Sequence, residues 1–399
     1  MKRRSLRLVC LSALLTLSLT GPGWTAEQSV GVTADTILIG VIGPMTGPAS
    51  WSGISVQNGA MLYFDEVNES GGVNGRKIKV IVEDDKCLPT DGVAAAKKLI
   101  DRDNVFALFG GVCSNATLAA LPLIKEGGIP FLGVLVSHPS LTSPVMKNVF
   151  RVGSIPSDVH AYYMVDFAIQ HFKAKKLAIA NQSDEYGKYG AQYLKEWMEK
   201  KYQMKPVVHE VHNLGDVDFT SQVLRLKNAG PDVVLLYGFP KESAILLRQS
   251  KELGLNAQWI GSSSLADRSF TLLVGEAGVG SVAIWTWGPY LETDNHPLVN
   301  QFKEKFEKKY PGHPPGKPNA LDMASYATAK VFVEGLRRAG KDLIWEGFIK
   351  AMESIRAFDS GLMGKITFTP TDHQGNKAAR FVINESGGKR ALVGMTLGE

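Results

Sequence analysis

The chain has 399 residues, of which 44% are hydrophobic and 21% are charged, with 41 glycines and 19 prolines. This composition is typical of a globular protein and excludes a fibrous or low-complexity chain. A mean hydropathy of -0.03 excludes a polytopic membrane protein. Because a single hydrophobic core stops growing near about 250 to 300 residues, we expect two lobes.

The positive charge is concentrated at the start of the chain. The formal net charge is +5, and the cations Lys2, Arg3, Arg4 and Arg7 precede every acidic residue. The rest of the chain therefore carries only about +1, which cannot supply the many phosphate contacts that nucleic-acid binding requires. We expect no nucleic-acid partner.

This basic cluster also begins a predicted export signal. It precedes an apolar run over residues 8–19 and then the helix breakers Gly21, Pro22 and Gly23. The order is typical of a secretory signal peptide, which we predict over residues 1–26. The run is too short to span a bilayer, and a membrane anchor is the alternative interpretation. We therefore expect the mature protein to be exported.

Because the mature protein is expected to be exported, its cysteines are interpreted for an oxidising compartment. Cys10 leaves with the predicted signal, so Cys87 and Cys113 remain in an oxidising compartment, where two thiols usually pair. We predict a disulfide between them. A metal site is the alternative, but zinc prefers four ligands and no histidine lies close to either cysteine in sequence.

Strand and helix patterns alternate along the first part of the mature chain. The predicted strands span residues 36–43, 77–82, 105–109 and 129–132, and the predicted helices span 55–68, 90–102 and 114–126. Strict alternation implies right-handed crossovers, and therefore a parallel sheet flanked by helices.

The alternation restarts after residues 150–156. Strands are predicted over 177–181, 207–211, 233–237, 258–260 and 281–285, and helices over 157–172, 186–201, 219–229 and 241–253. Three helical stretches then lie between 297 and 354, and strands are predicted over 365–369 and 380–383. Two successive α/β sets predict two lobes, with a ligand between them at the carboxyl ends of the strands.

Motifs of enzymes and cofactor sites are missing from the sequence. We find no GxGxxG, GxxxxGK[ST], GxSxG or HExxH pattern, so we predict no cofactor and no catalytic residues. His209 and His212 lie three apart in a predicted strand, where their side chains point to opposite faces, and we predict no metal site. An exported enzyme remains an alternative class.

One local feature favours anion binding. Ser114 and Asn115 follow Cys113 at the start of a predicted helix, where free N–H groups attract a carboxylate. An ordinary helix cap explains this segment equally well. Ser137 places a second hydroxyl after the next predicted strand, at the same edge of the sheet.

Several motifs together resemble the leucine/isoleucine/valine-binding proteins of ABC uptake systems, over essentially the whole mature chain. The motifs are residues 43–53 (GPMTGPASWSG), 58–60 (NGA), 71–75 (GGVNG), 83–87 (EDDKC), Cys113-Ser114, 184–187 (DEYG), Arg248-Gln249, Gly254-Leu255 and Tyr326. The resemblance implies a type I periplasmic binding fold, whose two lobes are joined by three crossings. It places the N-terminal lobe at 27–153 and 287–362, and the C-terminal lobe at 154–286 and 363–399.

The resemblance also implies a role and partners. The protein is expected to be a periplasmic, monomeric substrate-binding protein that captures a small carboxylate, either a hydrophobic amino acid or an aromatic or branched organic acid. Its partner would be an ABC permease of the inner membrane. Cys87 and Cys113 match the disulfide pair of the family. A sensing protein of the same fold, for amides or aromatic compounds, is an alternative.

Ligand-binding residues follow from position in the family's pattern. Ser114 and Ser137 match residues that hold the ligand's carboxylate, Tyr186 and Phe239 match pocket aromatics, and Trp51 and Ser52 straddle the position of another aromatic.

One position departs from the pattern. Where leucine-binding members carry a glutamate that pairs with the ligand's ammonium, this chain has Ser263. A buried ammonium without a carboxylate is costly, so an amino acid must find another acid, with Asp267 the first candidate, or the ligand lacks the amine. Trp285, Trp287 and Tyr290 supply further aromatic surface, and Trp285 is expected in the core.

Overall fold

Five parallel strands form the first sheet of the computed structural model, which describes residues 30–313 and 317–397. The predicted signal peptide and Cys10 lie outside the described residues. The sheet has the order β2-β1-β3-β4-β5, with β1 Thr36–Gly43, β2 Lys77–Asp84, β3 Ala107–Gly110, β4 Phe131–Gly133 and β5 Val149–Arg151. Its crossover helices are α1 Ser50–Glu69, α2 Pro89–Lys97 and α3 Ser114–Gly127. The alternation predicted for this part of the chain is confirmed, with two exceptions. The helix predicted over 90–102 ends as a π-helical turn over Lys98–Arg102, and β5 was not predicted as a strand.

Seven strands form the second sheet, in the order β12-β11-β10-β9-β8-β6-β7. They are β6 Leu177–Gln182, β7 His209–His212, β8 Val233–Tyr237, β9 Gln258–Gly261, β10 Val282–Trp285, β11 Ala379–Asn384 and β12 Arg390–Leu397. The strands β6 to β10 are parallel, and β11 and β12 add an antiparallel pair at one edge. A short turn joins β11 to β12, and such a connection permits only antiparallel pairing.

Eight further helices accompany this part of the described chain. They are α4 Ser157–Gln170, α5 Glu185–Tyr202, α6 Thr220–Ala229, α7 Pro240–Glu252, α8 Arg268–Val274, α9 Pro297–Lys309, α10 Ala320–Ala339 and α11 Trp345–Glu353. Over the described ranges, no helix combines the length and apolar character that a membrane span requires.

The strand predicted over 365–369 is wrong. Ile366 and Thr369 form only isolated bridges, with Phe358 and Asp372, and no continuous ladder runs beside them. Phe368 is buried because its ring packs edge-on against Phe150 of β5, with the ring centroids 5.2 Å apart. The apolar alternation of this stretch therefore reflects packing on the first lobe and not membership of a sheet.

The chain passes between the two lobes three times: from β5 to α4, from β10 to α9, and from α11 to β11. When the chain returns to the first lobe it forms α10, which packs along α1. The Ser325 hydroxyl donates a hydrogen bond to the Val56 carbonyl at 2.6 Å. At Gly59 the backbones approach so closely that a Cβ would lie 2.1 Å from the carbonyl oxygen of Asp322. Glycine is therefore required at this contact.

The predicted disulfide is confirmed. Cys87 follows β2, and Cys113 is the N-cap of α3, with an S–S distance of 2.00 Å. Both residues are buried in a small apolar cluster with Ala49 and Ala116. The bond therefore joins the loop after β2 to the start of α3.

Loss of this bond should destabilise the protein. A separation of 26 residues corresponds to about 3.5 kcal/mol in the loop-closure model. We expect the double variant Cys87→Ser, Cys113→Ser to lose about 3 kcal/mol of unfolding free energy in urea titrations. Reduction of the parent protein with dithiothreitol is the matched control and should give the same loss. A loss below about 1 kcal/mol would show that the bond does not constrain the unfolded chain.

Candidate functional site

A cavity of about 50 Å³ lies between the lobes, near the carboxyl ends of the parallel strands of both sheets. Its lining comes from both lobes and from the crossings: Trp51, Ser52, Val112, Cys113, Ser114, Leu135, Ser154, Tyr186, Phe239, Ser263, Ser264, Trp287 and Leu321. We call this cavity the cleft.

Ser114 is presented to the cleft by the start of α3. It is the first residue of the helix, directly after the disulfide cysteine Cys113, and it is 2% exposed. Within the described part of the chain, no hydrogen bond engages its hydroxyl. The hydroxyl and the free N–H groups of the first helical turn together favour an anion at this wall.

The first turn of α1 supplies Trp51 and Ser52. The Ser52 hydroxyl donates to the Ala49 carbonyl at 2.6 Å, so this side chain stabilises the turn as well as lining the cleft. Trp51 meets Phe239 of the second lobe edge-on, with ring centroids 6.4 Å apart. This ring pair joins the two lobes across the cleft.

The aromatic wall of the second lobe is held by polar contacts. The Phe239 N–H donates to the Gln182 Oε1 at 2.9 Å, and the Phe239 ring stacks on Tyr186 with the centroids 5.6 Å apart. The Tyr186 hydroxyl donates to the Ser264 hydroxyl at 3.3 Å. Burial raises the pKa of Tyr186, so the phenol stays neutral at physiological pH.

Ser263 lies in a short 3₁₀ turn after β9 and lines the cleft next to Ser264. Among the described residues that line the cleft, none is Asp, Glu, Lys, Arg or His. Asp267, the alternative partner for an ammonium, lies outside the lining and caps α8, where its Oδ1 accepts the Ser269 N–H at 2.9 Å. Its Oδ2 is buried and accepts no hydrogen bond from the described residues.

Ser137 does not reach the cleft. The strand β4 ends at Gly133, four residues before Ser137, and Leu135 takes the position on the cleft wall. The Ser137 hydroxyl lies 2.8 Å from the hydroxyl of Ser157, and the Ser137 carbonyl accepts the Ser157 N–H at 2.7 Å. Ser137 therefore lies in the loop after β4, beside the first crossing, where it supports the start of α4.

Comparison with known proteins identifies the family. A family model described as periplasmic binding protein matches residues 36–389. The leucine-, isoleucine-, valine-, threonine- and alanine-binding protein of Pseudomonas aeruginosa is 30% identical over 313 residues, which cover 78% of this chain and 81% of that protein. This chain belongs to the periplasmic binding proteins of the leucine/isoleucine/valine-binding type.

Solved structures agree with the fold of this family. A branched-chain amino acid transporter substrate-binding protein from Streptococcus pneumoniae, in complex with isoleucine, has a TM-score of 0.77 at 20% identity, covering 90% of this chain and 99% of that chain. A solute-binding protein of an ABC transporter from R. palustris, in complex with benzoate, has a TM-score of 0.78 at 19% identity, covering 91% of this chain and 98% of that chain.

Several residues that line the cleft of this periplasmic binding protein were not predicted from the family's pattern. Ser154 follows β5 in the first crossing, whereas Trp287 and Leu321 come from the chain after β10. The Trp287 Nε1 is buried, and no acceptor for it occurs in the described chain. Trp285 lies in the core, as expected, and donates to the Gly288 carbonyl at 2.7 Å. The sequence indicated Trp287 only as further aromatic surface, and its position in the lining agrees with that prediction.

The described residues contain no group of three or more His, Cys, Asp or Glu that could hold a metal ion. His209 is hydrogen bonded to Asn181, while His212 is buried against Phe219, so the two rings occupy opposite faces of β7. Burial lowers the pKa of His212 to about 4, which keeps the ring neutral at physiological pH.

The two predicted carboxylate-binding serines should therefore differ in their effect on binding. We expect Ser114→Ala to weaken the binding of a test carboxylate such as benzoate by about 1.5 to 3 kcal/mol, the range for a hydrogen bond to a charged group. Ser137→Ala should change the dissociation constant by less than about threefold, because its hydroxyl faces Ser157. Calorimetric titration of both variants measures the difference. Equal losses of affinity in the two variants would show that Ser137 also binds the ligand.

Proposed function

We propose that this protein captures a small carboxylate without an amine in the cleft and delivers it to an ABC permease. The observation that carries the proposal is the neutral lining: hydroxyls and aromatic rings face the ligand, and no acidic side chain does. The start of α3 supplies Ser114 and helical N–H groups for the carboxylate.

The physical basis is the difference between the two charged ends of an amino acid. A carboxylate in the cleft can accept hydrogen bonds from hydroxyls and backbone N–H groups. An ammonium group there has no carboxylate to pair with, and burying an unpaired charge costs several kcal/mol. The serine at position 263 therefore favours a ligand that lacks the amine.

The comparisons are compatible with either kind of ligand. The similar protein from Pseudomonas aeruginosa is named for binding aliphatic amino acids. The structures similar to this chain include one in complex with isoleucine and one in complex with benzoate. Because the same fold accommodates both, the choice depends on the side chains of the cleft.

Transport without catalysis fits the cleft as well. The hydroxyls of Ser114 and Ser263 have neither a histidine nor an acid among the described lining residues to activate them as nucleophiles. A ligand should therefore leave the protein unchanged. The family is periplasmic and serves uptake, which supports export of this chain and a permease of the inner membrane as its partner. We propose that it acts as a monomer.

An amino acid is the second candidate, and Asp267 favours it. Its buried Oδ2 accepts no hydrogen bond from any residue that the structure describes. Asp267 lies outside the lining, with three residues between it and Ser263, so the turn at Ser263 to Ala266 would have to rearrange to bring this oxygen to the cleft.

Ligand preference in the unmutated protein tests the proposal. Isocaproate is leucine without its amine, so the two compounds form a matched pair. We expect leucine to bind at least about tenfold more weakly than isocaproate, a gap of about 1.4 kcal/mol. Calorimetry with leucine, isocaproate and benzoate measures this, and mass spectrometry should recover each compound unchanged. Tighter binding of leucine than of either acid would contradict the proposal and point to Asp267.

A substitution at Ser263 should reverse the preference. We expect Ser263→Glu to strengthen leucine binding relative to isocaproate by about tenfold or more, because the new carboxylate pairs with an ammonium and repels an acid without one. Ser263→Gln has a similar size without the charge, and it should leave the preference near that of the parent. If Gln and Glu act alike, the effect is one of size and not of charge.

A further inference from the structure

A buried arginine lies in the wall behind the cleft. Arg151 is the last residue of β5 and is 0% exposed. Its backbone joins the first lobe to the third crossing: the Arg151 N–H donates to the His373 carbonyl at 3.0 Å, and the Gly375 N–H donates to the Arg151 carbonyl at 2.9 Å. The guanidinium is therefore fixed where the lobes are connected.

The guanidinium has no counterion in the described chain. Its Nη2 donates to the His138 carbonyl, while Nε and Nη1 are buried without an acceptor, and no described acid forms an ion pair with it. The acid that acts on it most directly, Asp158, is half-buried and accepts the Val159 N–H at 2.9 Å. A buried charge without a partner is rare in proteins and needs compensation.

The neighbouring histidines do not supply that compensation. Burial, with a smaller effect from the Arg151 charge, lowers the pKa of His138 to about 4 and that of His160 to about 3. The His138 Nδ1 accepts the Ser140 N–H at 3.1 Å, and the His160 Nδ1 lies 3.1 Å from the Tyr237 hydroxyl. Both rings are therefore neutral, and Arg151 is the cation of this cluster.

This charge lies close in the chain to residues that line the cleft. Ser154, which lines the cleft, follows Arg151 by three residues, and Leu135, which also lines it, precedes His138 by three. Three residues span at most about 10 Å. The intervening side chains are buried, so bulk water and salt do not screen the charge from the cleft.

Two other buried acids of the described chain have a cationic partner. Glu292 is paired with Arg390, and Asp322 with Lys317. Asp267 caps α8, where the helix dipole stabilises its negative charge. Among the described cations, Arg151 is buried and has neither kind of support.

We propose that Arg151 determines the charge selectivity of the cleft, because its uncompensated positive charge stabilises a bound ligand of net charge −1. The inference rests on the proposed function and adds the residue that makes an acid preferable to a neutral molecule of the same shape. Ser114 and the α3 N–H groups orient the carboxylate, and Arg151 supplies the countercharge from behind the wall. An amide receives the hydrogen bonds but not the countercharge.

The size of the effect follows from Coulomb's law. At about 10 Å and an effective dielectric constant of about 20, two unit charges interact strongly enough to change a dissociation constant about tenfold. An amide of identical shape gains nothing from this interaction. The ratio of the two affinities therefore measures the charge effect separately from packing.

Isocaproate and isocaproamide are the probes for the experiment. In the parent protein, isocaproate should bind about tenfold more tightly than the amide. Arg151→Met and Arg151→Gln should reduce this ratio to about twofold or less, while the affinity for the amide changes little. The control Arg225→Met removes an exposed cation that pairs with Glu210 on the second lobe, and it should leave the ratio unchanged.

A purely structural role for Arg151 would weaken both probes equally, and that result would overturn the inference. So would a parent protein that binds the amide as tightly as the acid. Asp158→Asn covers the case in which the arginine variants do not fold: it removes an opposing charge at a half-buried position and should raise the ratio about twofold. An unchanged or lower ratio in Asp158→Asn would contradict the inference.

Failure of the proposed function gives a different result. In that case the parent protein binds leucine more tightly than isocaproate, whatever the ratio of acid to amide. If isocaproate binds better than leucine and Arg151→Met keeps the parent's acid-to-amide ratio, only the role of Arg151 is wrong.

Discussion

The contact between α1 and α10 is the constraint on which the rest of the structure depends. The two helices are joined at Gly59 and by a hydrogen bond between residues 269 positions apart, Ser325 and Val56. Because the first lobe is completed by a helix that follows β10 of the second sheet and precedes β11 of the same sheet, the chain must pass between the lobes three times. Those passes bring Ser154 and Trp287 to the cleft, and the return itself brings Leu321. The site therefore forms only when the chain has returned to the first lobe, and neither sheet forms it alone.

In the cleft, the residues that contact the ligand and the residue that supplies the opposite charge are different. The residues that touch the cavity are neutral, and they are suited to orient a ligand by hydrogen bonds and ring contacts. The unpaired charge lies one layer behind, at Arg151. In a buried environment such a charge acts over several ångströms, because little water intervenes. Hydrogen-bond geometry and net charge can thus be set by different residues.

Much of the fold was predictable, because strands of a doubly wound sheet are local apolar runs. The strand over 36–43 was predicted with its observed bounds, and the paired cysteines followed from export and number alone. The prediction failed where local pattern and long-range pairing disagree. The stretch 365–369 alternates like a strand but packs on Phe150. The strand β12 was not predicted, because its own residue pattern does not indicate that it pairs with β11.

By itself, the sequence determined the order of most elements and the disulfide, and the family's pattern predicts that Ser263 stands in place of a pocket acid, because each of these depends on residues close together or on a motif position. Only the tertiary structure decided which side chains share the cleft. Ser114 and Ser137 look equivalent in sequence, but β4 ends early and turns Ser137 toward Ser157. The isolation of Arg151 was equally hidden from the sequence. Whether a charge is paired depends on every segment packed around it, and those segments, near residues 138, 158 and 373, are brought together only by the fold.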